Sequence, residues 1–234
     1  MPEIIHTSSN KKKVVIIPAC NEGPALITVI KELLSTGFTV IVIDDGSAVS
    51  LKPILETFPV FFLRHRANLG QGAALQTGFD FAKRLKPDII VTMDADGQHD
   101  SSSIPSLIEP LVTNEVDIVL GSRFLTPGEK TVPFFKKLVL QTARVVNFFF
   151  SGMLLSDAHN GLRALNYQAL QKINITENRM AHASEVLFEI KKHRLRYKEV
   201  PVTIAYTKYS KQKGQSVWQS IIILFDLFLH KLFK

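Results

Sequence analysis

Along the first half of the chain, short apolar runs rich in β-branched residues alternate with segments of helical spacing. Lys13 to Ile17 (KVVII), Thr39 to Ile43 (TVIVI), Val60 to Leu63 (VFFL), Asp88 to Met93 (DIIVTM) and Val116 to Leu120 (VDIVL) read as buried strands. Between them, Pro24 to Ser35, a short segment ending near Phe58, and Gln71 to Leu85 (apolar at Leu75, Phe79 and Ala82) read as helices. Continuously apolar strands separated by helices predict an α/β fold with a mainly parallel sheet covered on both faces. After Phe124 the pattern changes. Lys136 to Leu155 is expected to be helical, Ser184 to Lys192 a helix, and Tyr197 to Ile204 a strand whose Pro201 suits a sheet edge. The division expected is a polar extension (1–12), a domain (13–216) and an apolar, amphipathic C-terminal helix (217–234).

In such sheets ligands bind beyond the carboxyl ends of the strands. Here those ends carry polar or glycine-rich residues: Pro18-Ala19-Cys20-Asn21-Glu22, Asp44-Asp45-Gly46-Ser47, Asn68-Leu69-Gly70-Gln71-Gly72, Asp94-Ala95-Asp96-Gly97-Gln98, and Gly121-Ser122-Arg123. Five consecutive strand ends of this kind describe one site. Asp94 and Asp96, two residues apart on a tight turn, suit a hard divalent cation such as Mg²⁺ or Mn²⁺. The alternative is a solvated turn, with Asp100 or Ser101 capping a following helix. Asp44 and Asp45 can accept hydrogen bonds from a ribose or base, or simply make a turn. The Asn68 to Gly72 segment could present backbone N–H groups to a phosphate, or merely start a helix. It lacks dinucleotide or P-loop spacing. Arg123 and Arg163 suit phosphate, or an ion pair with the site's acids. Asp157, His182 and Glu185 are candidate bases or acceptor-orienting groups, against a structural role for each.

Charge sharpens the choice of partner. With 28 basic against 21 acidic residues the net charge is +7, much of it in the last third, which favours phosphorylated or anionic partners. No nucleic-acid module is recognisable, so nucleic acid is not expected. The single cysteine, Cys20, excludes an internal disulfide. The polar first ten residues do not form a signal peptide, and no apolar run reaches spanning length. The tail IIILFDLFLHKLFK carries one apolar helical face, suited to an anionic membrane surface, to a homo-oligomer contact or to its own domain. Peripheral attachment at the cytoplasmic face of a membrane is the expectation, helped by the Phe148-Phe149-Phe150 patch.

Taken in order, these motifs resemble the inverting family-2 glycosyltransferases, especially the branch of dolichol-phosphate mannosyltransferase and polyprenyl-phosphate glycosyltransferases. Asn160-Gly161-Leu162-Arg163 and Glu199-Val200-Pro201-Val202 extend the likeness, which spans roughly Val14 to Ser216. The resemblance implies a GT-A fold, a Rossmann-like α/β/α sandwich. It implies a nucleotide-sugar site at Pro18, Ala19, Asn21, Glu22, Asp44, Asp45, Gly70 and Asp94, with the metal and diphosphate on Asp94 and Asp96. Gln98 would lie near donor sugar and acceptor phosphate, and Arg123, Arg163, Lys208 and Lys213 would serve an acceptor phosphate. In place of the branch's later arginine stand Lys208, Lys211 and Lys213, before Gly214-Gln215-Ser216. The function implied is metal-assisted transfer of a hexose or N-acetylhexosamine from a nucleotide diphosphate sugar (UDP preferred, GDP possible) to a polyprenyl phosphate. The alternative acceptor is a saccharide hydroxyl, as in polysaccharide or lipopolysaccharide assembly.

Overall fold

The computed structural model describes residues 11–125, 148, 152–158 and 160–204. The expected amphipathic tail, Lys208, Lys211, Lys213 and the first ten residues lie outside them. In chain order the described elements are β1 (Lys13–Ala19), α1 (Pro24–Ser35), β2 (Thr39–Asp44), α2 (Lys52–Leu55), β3 (Phe61–Arg64), α3 (Gln71–Leu85) and β4 (Ile89–Thr92). A 3₁₀ turn (Ser101–Ser103), α4 (Ile104–Val112), β5 (Ile118–Ser122), β6 (Arg163–Asn166), α5 (Tyr167–Lys172), α6 (His182–Lys192) and β7 (Tyr197–Pro201) follow.

The strands form one seven-stranded sheet in the order β3-β2-β1-β4-β6-β5-β7. All neighbours are parallel except that β6 runs antiparallel to both β4 and β5. Because successive residues point to opposite faces, β1 feeds two cores. Val15 and Ile17 pack with α1, α2 and α4 residues such as Leu26, Ile30, Leu55 and Leu107. Val14 and Ile16 pack on the other face with α3, α5 and α6 residues such as Leu75, Phe79, Leu170 and Leu187. The result is the expected three-layer α/β/α sandwich.

Several elements have visible local causes. Pro24 opens α1, where its missing N–H leaves no bond unmade. Asn166 caps α5 by accepting from Ala169 N at 2.8 Å. Two expectations need correction. The helix expected to run to Leu155 has ended by Gly152, whose N–H donates to the Phe148 carbonyl at 2.7 Å and whose φ is +67°. That is a left-handed helix stop, a conformation glycine adopts without a Cβ penalty. Met153 and Leu155 then turn into the core. Strand β7 ends at Pro201, and Ile204 makes only an isolated bridge to His99. Its place at the sheet edge fits the expectation drawn from Pro201.

Candidate active site

The chain runs outward from β1 through β2 to β3 and then crosses back to β4 on the other side of β1, and at such a reversal of strand order a crevice opens at the carboxyl ends. The reversed β6 begins at the same edge: Arg163 pairs in register with Thr92 of β4 and Leu120 of β5. One sheet edge therefore carries Ala19 to Glu22, Asp44 and Asp45, Asp94 to Gln98, Arg123 and Arg163. Pro18 and Ala19 are buried at the end of β1, and Glu22 is half-buried just beyond it.

Asp94 sits on the turn after β4, with its side chain 31% exposed. Gln71 Nε2 donates to its Oδ1 at 2.7 Å, and His99 Nε2 lies 3.2 Å from its Oδ2. Gly161 passes so close that a Cβ there would collide with the carboxylate. Burial is the largest influence on Asp94 and pushes its pKa up. The hydrogen bond and charge of His99, then the charges of His182 and Arg163, outweigh it and hold the pKa below the usual carboxylate value. Asp96 behaves oppositely. Burial raises its pKa, the neighbouring Asp94 charge adds to that, and hydrogen bonds from Gln98 only partly offset them. Gln98 N donates to Asp96 Oδ1 at 3.0 Å, and its side-chain amide also folds back onto Asp96 Oδ2.

The Asp44–Asp45 pair is differently engaged. Asp44 is fully buried; Oδ1 accepts from Ser47 N at 2.9 Å and Oδ2 from Leu51 N at 3.2 Å. In this structure both of its oxygens serve the turn, and Arg64 Nε lies 3.4 Å from Oδ2. Asp45 accepts from Leu69 N and Gly70 N at 3.0 and 2.8 Å, with His65 Nδ1 at 2.8 Å. The backbone N–H groups that open α3 are used within the chain as well, since Gly72 and Ala73 both donate to the Asn178 carbonyl. In this structure the Asn68 to Gly72 segment is held by the Asp45 carboxylate and the Asn178 carbonyl. Asn21 ties two loops together: its N–H donates to Ser47 Oγ at 2.8 Å, and its Oδ1 accepts from Ala48 N at 2.9 Å.

Arg123 follows β5 and is gripped by Asp157. Its Nε and Nη2 donate to the two carboxylate oxygens at 2.7 and 2.9 Å, and its backbone N–H to Oδ2 at 3.1 Å. Burial pushes the Asp157 pKa up, but the Arg123 hydrogen bonds and charge hold it below the usual range. Arg163 is 5% exposed. Burial brings its pKa down to about 10, while Asp94 and Asp157 support the charge. His182 is likewise buried, and desolvation with the Arg163 charge drops its pKa to about 4, so it is neutral at pH 7. Its Nδ1 lies 2.7 Å from the Arg179 carbonyl. A neutral ring can only donate there, which leaves Nε2 as an acceptor. Glu185 accepts from Thr176 N and Glu177 N at 2.8 to 3.0 Å and fastens the loop before α6.

Gln71, His99 and Glu199 belong to this network and were not anticipated in these roles. Each acts on a partner distant in sequence or across a turn, though Gln71 and His99 border motifs already singled out.

The fold is thus a three-layer sandwich with paired acids after central strand β4 and an arginine after β5, two places further along the sheet. Residues 14–174 match the family described as Glycosyl transferase family 2, and the chain belongs to that family of glycosyltransferase enzymes. It is 35% identical over 229 residues to an uncharacterized protein of Methanocaldococcus jannaschii, covering 96% of this chain and 94% of that one. It is 32% identical over 241 residues to a UDP-N-acetylglucosamine–dolichyl-phosphate N-acetylglucosaminyltransferase of Methanococcus voltae, covering 94% and 96%. The fold is similar to mannosyl-3-phosphoglycerate synthase of Rubrobacter xylanophilus, with a TM-score of 0.63 at 11% identity over 95% of this chain and 74% of that one.

Proposed function

We propose that the protein transfers a hexose or N-acetylhexosamine, preferably from a UDP-sugar, to a polyprenyl phosphate at a membrane surface, with inversion at the anomeric carbon. The observation that carries this reading is the state of the three candidate bases. Asp157 is neutralised by Arg123, Glu185 is spent on backbone amides, and His182 has a pKa of about 4. A saccharide hydroxyl would need a base to take its proton. A phosphate is already ionised at neutral pH and needs only positioning. The Methanococcus voltae relative, named for a UDP-sugar and a dolichyl phosphate, supports the same choice. So do Phe124 and Leu125, about 40% exposed directly after Arg123, which offer an isoprenoid chain apolar contact beside its phosphate.

In this reading one oxygen of the acceptor phosphate, oriented by Arg123, forms the new bond to the anomeric carbon. The bond to the nucleoside diphosphate breaks on the opposite face, and the diphosphate leaves with that electron pair. Arg163 adds positive charge deep in the crevice, and neutral His182 presents Nε2 to a sugar hydroxyl or amide N–H. The donor set suits Mg²⁺ or Mn²⁺: two oxygen acids stand two residues apart, and the Asp96 charge is disfavoured until a cation relieves it. Among the described residues no group of three or more His, Cys, Asp or Glu side chains could hold a metal unaided. Asp94 and Asp96 would therefore share the ion with donor phosphates and water. When bound, the ion neutralises charge on the leaving diphosphate.

The proposal places the protein peripherally at the membrane surface; among the described residues no helix is long and apolar enough to cross a bilayer. The test is a turnover screen with UDP- and GDP-sugars and Mn²⁺, with and without a short polyprenyl phosphate, following nucleotide release and lipid product. Lipid-dependent release with a sugar-phosphate lipid product is expected. Release that depends instead on a saccharide acceptor would overturn the reading.

A further inference from the structure

A neighbour from outside its own strand holds the Arg123 side chain. Asp157 holds it, but Asp157 sits in a loop that needs holding in turn. That second hold comes from Glu199, in the middle of edge strand β7 and in register with Leu120 of β5. The two carboxylate oxygens of Glu199 accept from Ser156 N, each at 2.9 Å. Oε1 also accepts from Ser156 Oγ at 2.7 Å and from Asp157 N at 3.1 Å.

A second route leads back to the same arginine. Ser156 Oγ lies 2.6 Å from Ser122 Oγ, and Ser122 Oγ accepts from Phe124 N at 3.2 Å. Once Ser156 gives its proton to Glu199, the only consistent order of donors runs Phe124 N–H to Ser122, Ser122 O–H to Ser156, and Ser156 O–H to Glu199. All the donors point toward one negative charge, an arrangement in which each bond polarises the next. Arg123 stands between Ser122 and Phe124. It is therefore fixed through its backbone by the hydroxyl chain and through its guanidinium by Asp157. Both routes end at Glu199.

We infer that Glu199 is a positioning residue for the acceptor side of the reaction, setting Arg123 through Asp157 and the Ser156–Ser122 hydroxyls. The inference rests on the reading that Arg123 takes the acceptor phosphate. Glu199 stands on edge strand β7, three places along the sheet from β4 and the acids of the donor side. Its removal should thus separate acceptor kinetics from donor affinity, which a general loss of packing would not do.

The experiment compares wild type, Glu199→Gln, Arg123→Ala and the double variant, using a UDP-sugar, Mn²⁺ and a short-chain polyprenyl phosphate. Acceptor kcat and KM are measured at saturating donor, and UDP affinity by calorimetry. Glu199→Gln should lower kcat/KM for the acceptor about 10- to 100-fold, the usual scale for a group that orients a functional side chain, with UDP affinity within about twofold of wild type. In the Arg123→Ala background the same change should have little further effect, because the arginine it positions is gone. Ser156→Ala, which removes only the hydroxyl route, keeps the test open if Glu199→Gln folds poorly. It should lower acceptor kcat/KM about threefold, roughly the value of one hydrogen bond. Full additivity with Arg123→Ala, or an equal loss of UDP affinity, would overturn the positioning role while leaving the acceptor reading intact. Unchanged acceptor kinetics in Arg123→Ala alone would overturn the acceptor reading, and this inference with it.

Discussion

Two pairs of aspartates close two strands of the same sheet at the same edge, and they do different work. Asp44 and Asp45 are almost wholly buried, and each is tied to two backbone amides in neighbouring loops. Asp94 and Asp96 are only half-buried; Asp94 is met by the Gln71 and His99 side chains, and Asp96 by the Gln98 side chain together with one backbone N–H, that of Gln98. Backbone amides cannot turn away when a ligand arrives, whereas glutamine and histidine side chains can. In the proposed reading the first pair builds the floor of the crevice, and the second takes the cation and the diphosphate once its side-chain partners turn away. Carboxylates at strand ends become functional when their partners are replaceable.

The largest expected effect separates the pairs at the level of turnover. Asp96→Asn should lower nucleotide release by about a thousandfold or more, the scale of losing the principal stabiliser of a leaving group. Turnover within tenfold of wild type would place the chemistry elsewhere. The same substitution should leave unfolding free energy nearly unchanged in urea melts, because Asp96 is ionised at a cost in the folded chain.

Next in size is a pH effect at His182, which belongs to the surroundings of the second pair. Its folded pKa of about 4 lies below its ordinary value of 6.5. As pH falls through 6.5 the unfolded chain takes up a proton that the folded chain refuses. Stability is then lost progressively down to about pH 4, by up to about 3 kcal/mol. Chemical denaturation from pH 7 to 4.5 should show that slope, and His182→Gln should flatten it. An identical slope in the variant would mean other groups control it.

Asp44→Asn addresses the first pair. It should destabilise the fold by about 2–3 kcal/mol, since two buried amides share its carboxylate, while the folded fraction keeps turnover within about threefold, because both of its oxygens are taken up by the Ser47 and Leu51 N–H groups. Loss of turnover without loss of stability would return Asp44 to the donor site. Glu185→Gln is the smallest change: about 1 kcal/mol from melts, with turnover close to wild type. A large loss of turnover there would revive a base on α6.

Much of the frame was legible from periodicity. Helices α1 and α3 occupy the expected residues, Pro24–Ser35 and Gln71–Leu85, because each has a clear opening and a continuous apolar face. Strand β6 was missed because Arg163 to Asn166 offers four residues without alternation, and its direction depends on neighbours far away in sequence. The Asp94-x-Asp96 turn was found from its place after an apolar strand. What periodicity could not separate was Asp44 from Asp45, or either from Asp94. Their difference lies in partners such as Leu51, Gly70 and Gln71, brought in by the fold. Glu199 was noticed only as part of a motif, since its job is defined by a loop 43 residues earlier.

The direction of β6 has one more consequence. Because β5 ends and β6 begins at the same edge, the arginine that follows one strand and the arginine that opens the next stand at the same rim of the sheet, although they are far apart in sequence. A parallel strand in that place would have carried its first residue to the opposite rim, so the reversal is what lets two cations from distant parts of the chain serve one crevice.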